Sequence, residues 1–156
     1  RLATLAAVFA AGADDDITRL LARTDAVAAF LATPDGRDLL AASRRAANIL
    51  RIEDKRDGPH AGPLDPALLV QAEEQALAAA LDAAEPAVET DIAAERYADA
   101  MAALAALRPP LDAFFDKVTV NAPDPALRLN RLRLLARVTD AMGRAADFSQ
   151  IEGLET

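Results

Sequence analysis

Arg37, Arg44, Asn48, Arg51 and Lys55 follow one another at intervals of seven, four, three and four residues. Those intervals bring side chains to one side of an α-helix, because residues three, four or seven apart lie nearly above one another. A line of guanidinium and ammonium groups is suited to following phosphates, and an asparagine among them to meeting a base edge. An ordinary solvated face is the competing reading of the same pattern. A second basic segment, Arg128 to Arg144, sets five arginines against one acid, Asp140. There Arg131 falls on the apolar stripe of Leu127, Leu134 and Val138, with Asn130 on its flank. A buried arginine demands a partner, and Asp112 or Asp116 is the expected one. Arg133, Arg137 and Arg144 fall on the outer side, open to a partner. The adjacent Phe114 and Phe115 either pack into a corner, the commoner use, or offer one ring for stacking a base.

Other chemistries lack their side chains. There is no cysteine and one histidine, His60, placed in a Gly/Pro-rich loop and expected to be exposed. The serines, Ser43 and Ser149, have no histidine in a nucleophile pattern. Six glycines are too scattered to cradle a phosphate. Asp14, Asp15 and Asp16 lack the alternating oxygen spacing of a calcium loop and suit a helix start instead. The expectation is a chain that holds no metal or cofactor and catalyses nothing by itself.

The elements that must carry these residues are helices. Of the 156 residues, 53% are hydrophobic and only 4% aromatic, with alanine and leucine in the majority. Those two lose little freedom on becoming helical. The length suits one domain, residues 1–156, and Arg1 in place of methionine suggests a piece of a longer protein. The absence of cysteine suits a cytoplasmic setting, and runs such as "MAALAAL" are too short to cross a bilayer. Residues 1–13 read as the tail of an upstream helix. Helices follow over Ile17–Leu31 and from the "TPDG" turn at 33–36 to about Ile52. The polar stretch 53–64 is expected to be a flexible loop. Asp65-Pro66 then caps a helix to about Ala84, and Pro86 kinks or restarts it. Tyr97–Leu107, stopped by Arg108-Pro109-Pro110, Leu111 to about Val118, and Pro125 to about Ala146 complete the set. The fold class is all-α, a compact antiparallel helical bundle.

The net charge of −8 alone argues against a nucleic-acid ligand, but its distribution does not. Residues 37–56 carry six cations against three acids, and residues 65–99 carry nine acids against Arg96 alone.

Taken together, "YADAMAALAALRPPLDAFFDKVTVNAPDPALRLNRLRLLARV", followed by "ADFSQI", resembles the carboxyl end of the β subunit of bacterial-type glycyl-tRNA synthetases. "LLAASRRAANIL" is similar to that subunit's basic helix. "DPALR" at 124–128 resembles the Asp-Ala-Leu-Arg signature of the helical anticodon-binding domain shared with arginyl-tRNA synthetases, with Pro125 as an insertion. The resemblance runs from about Asp16 to Ile151. It implies an all-α domain of anticodon-binding type, with 95–151 as the signature segment. It further implies a cytoplasmic ligase of two α and two β subunits that charges a glycine-specific tRNA using ATP, with ATP and Mg²⁺ on the catalytic subunit. Carried onto this chain, the tRNA contacts are Arg44, Arg45, Asn48, Arg51 and Lys55, together with Arg128, Asn130 and Arg131. Thr119 and Asn121 stand where the family leads one to expect larger apolar residues. Two other readings remain: a scaffold module packing through 66–107, and the equivalent domain of an arginyl-tRNA synthetase, against which "RRAANIL" speaks.

Overall fold

The computed structural model describes residues 17–145 together with Thr4, Ala6 and Ala7. Asp14 to Asp16, Ser149 and the "ADFSQI" segment lie outside the described residues. Within residues 17–145 six α-helices follow in order: α1 (Ile17–Leu31), α2 (Pro34–Asp57), α3 (Ala72–Ala93), α4 (Tyr97–Ala105), α5 (Arg108–Lys117) and α6 (Pro125–Ala145). A single 3-10 turn, Pro66–Leu68, lies between α2 and α3, and no strand occurs among the described residues.

The α1–α2 corner follows from its turn residues. Thr33 Oγ1 accepts from the Gly36 amide at 3.0 Å, and Pro34 occupies a first-turn position where no N–H is needed. Gly36 is required by crowding, since a Cβ there would lie 1.9 Å from the Phe30 carbonyl oxygen. Beyond the corner, α2 continues past Ile52 to Asp57, so residues 53–57 of the expected loop are helical. The charged run "EDKRD" resembles a loop in composition, but Glu53, Asp54 and Asp57 find partners that keep it wound.

Two further starts differ from expectation. Asp65 does cap Ala67, at 3.0 Å, but only the 3-10 turn follows it. The α3 helix begins instead at Ala72, where Gln71 and Glu74 form a reciprocal capping box, and it runs through Pro86 to Ala93. The pair Pro109-Pro110 opens α5 rather than merely ending α4, because proline's missing N–H costs nothing in a first turn.

Leu39, Leu77, Leu81, Leu104, Leu111, Phe114, Leu132, Leu134 and Leu135 are fully buried, so α2 to α6 all feed one core. The α6 helix is its axis, packing against both α2 and α3. The α3 and α6 helices run in the same direction. Glu74 faces Arg131, Glu85 faces Arg137 and Glu89 faces Arg144, and the two numberings rise together. At the far end, the buried Arg23 of α1 donates to the carbonyls of Ala145 (3.0 Å) and Arg144 (2.7 Å). These belong to the last described turn of α6. No helix among the described residues is long and apolar enough to cross a membrane.

Candidate nucleic-acid interface

The burial of Leu39, Ala42 and Ala46 against the core turns the other side of α2 to solvent. Arg37, Arg45, Asn48, Arg51 and Lys55 lie exposed there, with Arg44 half-buried beside them. The strip is about 27 Å long at the helical rise. Among the described residues, no carboxylate oxygen lies within 4.0 Å of the cationic nitrogens of Arg37, Arg45, Arg51 or Lys55. The Arg45 guanidinium instead stands over the Phe115 ring, 4.4 Å from its centroid. Phe115 meets Phe114 edge-to-face at 5.8 Å, and Phe114 is fully buried. The phenylalanine pair therefore divides its work: one ring lies in the core, and the other, half-buried at its edge, carries Arg45.

The arginines of α6 have a different fate. Arg128 donates to Asp57 at 2.9 and 3.1 Å, to Glu53 at 3.2 Å and to the Asn121 side chain at 3.0 Å. The hydrogen bond to Asp57 chiefly raises the Arg128 pKa, with Glu53 adding to it. The same bond, helped by Arg128's charge and by His60, holds the Asp57 carboxyl below the ordinary carboxylate value. Arg131 is buried and donates twice to Glu74 at 3.1 Å, to Gln71 at 3.2 Å and to the Thr119 carbonyl at 2.7 Å. Its partner is thus Glu74, fully buried on α3, and not Asp112 or Asp116, which pair with Arg108 and Lys117. Asn130, 2% exposed, accepts from the Asp65 amide and donates to the Asp65 carbonyl.

Asn130 and Arg131 are therefore turned inward, whereas Arg128 stays partly exposed, and all three make hydrogen bonds within the fold. Arg133, Arg137 and Arg144, expected to face outward unengaged, are engaged as well. Arg133 donates to the Pro63 carbonyl at 3.0 Å, Arg137 pairs with Asp82 and Glu85, and Arg144 pairs with Glu89. The bond to Glu85 is also the main reason the Arg137 pKa is raised.

The segment after α2 is pinned as well. His60, expected to be exposed, is buried with 4% exposure, Nδ1 2.7 Å from Asp54 and Nε2 2.9 Å from Asp57. Asn130 holds Asp65, and Arg133 lies against Gly62, whose φ of +140° favours glycine and where a Cβ would come within 3.1 Å of that guanidinium. The departure at 121 is explained by the same network, since the Asn121 side chain accepts from Arg128; at 119 Arg131 uses only the backbone carbonyl, and nothing in the structure explains the threonine. Among the described residues, no group of three or more His, Cys, Asp or Glu could hold a metal ion.

Sequence reasoning missed Glu74, Arg23 and the Arg45–Phe115 stack. The Gln71-x-x-Glu74 capping pattern marks Glu74 as a helix-start residue. Nothing local announces the other two.

Residues 39–156 match the family described as the DALR anticodon binding domain. The chain is 59% identical over 149 residues to the glycine–tRNA ligase β subunit of Rhodospirillum centenum, a match covering 94% of this chain and 21% of that protein. It is 52% identical over 149 residues to the protein of the same name from Phenylobacterium zucineum, covering 96% and 22%. Against that of Cereibacter sphaeroides it is 45% identical over 141 residues, covering 90% and 20%. The chain thus spans about a fifth of the length of these relatives. With a helical fold built around α6 and well over half of its residues matched by one family pattern, the chain belongs to the DALR anticodon binding domain family.

Proposed function

We propose that the chain binds the anticodon region of a glycine-specific tRNA through the outer face of α2, as part of a glycine–tRNA ligase β subunit. The observation that carries this reading is the contrast between two sets of cations. Those of α6 are engaged, Arg128, Arg131, Arg137 and Arg144 by acids of α2 and α3 and Arg133 by the Pro63 carbonyl, whereas Arg37, Arg45, Arg51 and Lys55 lie exposed on α2 with no carboxylate within 4.0 Å among the described residues. Arg44, Arg45, Asn48, Arg51 and Lys55 are the contacts in this reading; Arg128, Asn130 and Arg131 position the helix behind them. The names of the relatives favour a glycine over an arginine ligase. The catalytic step, with ATP and Mg²⁺, belongs on the α subunit of a cytoplasmic heterotetramer, and this chain contributes recognition.

The test is a titration with glycine-specific tRNA at low and moderate salt, beside a tRNA differing only in its anticodon. Specific binding that weakens steeply with salt is expected. Arg51→Ala with Lys55→Ala should weaken it about tenfold while leaving the melting temperature in place, since neither side chain holds the fold. Equal affinity for the anticodon-swapped tRNA would defeat the proposal.

A further inference from the structure

Beside the cationic strip, α2 and α5 enclose an open recess of about 560 Å³, walled by Arg45, Phe115, Asp38, Asp112 and Asp116 and floored by Ala41 and Ala42. We propose that this recess takes in one unpaired base of the bound RNA, stacked on the Arg45–Phe115 pair, and favours a base that carries an exocyclic amino group. The proposal rests on the RNA-binding reading above and deepens it.

Three observations converge. Arg45 shares the recess with three aspartates, yet its guanidinium stands over an aromatic ring instead of pairing with any of them. A guanidinium backed by a ring is a flat, cationic surface on which a base stacks well, and Arg45 is exposed on its other side. The ring is held by its edge-to-face contact with the fully buried Phe114, so the platform is fixed before a ligand arrives. The floor is alanine, which lets a planar group approach the helix closely.

The acids then set which base fits. Asp112 and Asp116 already face Arg108 and Lys117, whereas Asp38 is exposed and, among the described residues, has no cation within 4.0 Å. A carboxylate repels phosphate, so the backbone is kept on the strip of Arg37, Arg51 and Lys55 and only the uncharged base turns in. A carboxylate accepts from the amino group of cytosine, adenine or guanine. Uracil presents a single N–H between two carbonyl oxygens, which the carboxylate repels.

Fluorescence anisotropy with the full chain and anticodon stem-loops tests this. The set comprises the intact loop, loops made abasic at one position at a time, and loops with uracil at each position. One abasic position is expected to lose about tenfold in affinity. Arg45→Lys keeps the charge but not the plane. It should lose a similar factor on the intact loop, with the salt slope unchanged and no further loss on that abasic loop. Asp38→Asn should narrow the penalty for uracil at the same position. Both residues are exposed, and unchanged circular dichroism would verify that the variants are folded. If Arg45→Lys preserves the wild-type ratio of intact to abasic binding while Arg51→Ala/Lys55→Ala still weakens the RNA, the base pocket falls and the RNA interface stands. If the wild-type chain shows no salt-dependent binding to any loop, both fall.

Discussion

Asp57 connects three parts of the chain: it ends α2, accepts both Arg128 contacts from α6, and lies 2.9 Å from Nε2 of His60. Its carboxyl titrates below its ordinary value of 3.8 because Arg128 donates to the ionised form. The folded state therefore binds this proton less tightly than the unfolded chain does. The contribution is present in full above the ordinary pKa and is lost as pH falls through it toward the depressed folded value. Arg128, its pKa raised by the same contact, stays charged throughout that range and adds no slope of its own. Urea unfolding at a series of pH values should show wild-type stability falling below about pH 4, and Asp57→Asn should remove part of that fall. An identical acid limb in the variant would show that the pair does not stabilise the fold. This network was only half legible in the sequence. That a buried Arg131 needs a partner follows from desolvation, but Glu74 lies 57 residues away and no local pattern pairs the two. His60 was misjudged because a Gly/Pro setting suggests exposure, whereas Asp54 and Asp57 sit where α2, one turn longer than expected, places them.

Among the elements, those with strong local signals were read well. The bounds of α1 and the turn at 33–36 follow from periodicity and turn chemistry, while the choice of Thr33 as the cap over Asp35 is made by the fold. The errors lie where several local signals compete. Asp65-Pro66 is a helix start in sequence but yields one 3-10 turn, because the capping box at Gln71 begins the longer helix. The pairing of α3 with α6 gives a prediction at this scale. Glu74 is fully buried and Arg131 nearly so, and removing one charge strands the other. Arg131→Ala should cost about 3–5 kcal/mol in chemical denaturation. The double substitution Glu74→Leu with Arg131→Met should recover much of that loss, since an apolar pair has no charge to desolvate. A double variant no better than the single one would mean that the contacts to Gln71 and Thr119, rather than the ion pair, hold α6 in place.

Across the whole molecule, a net charge of −8 coexists with one cationic edge because the acids and bases are sorted, not mixed. Binding should therefore scale with the few cations on that edge and not with all seventeen basic residues. With about four of them meeting a single-stranded loop, log K against log salt should have a slope near −3, and the Arg51→Ala/Lys55→Ala form should be shallower by about 1.4. A slope twice as steep would require the arginines of α6 to leave their acids. The ladder of Glu74, Asp82, Glu85 and Glu89 along α3 thus acts as a built-in set of counterions for α6. A polyanion drifting toward that flank meets cations that α3 has already neutralised. Among the described residues, the chain's acidity, which at first tells against such a ligand, instead steers it to the edge where α2 lies bare.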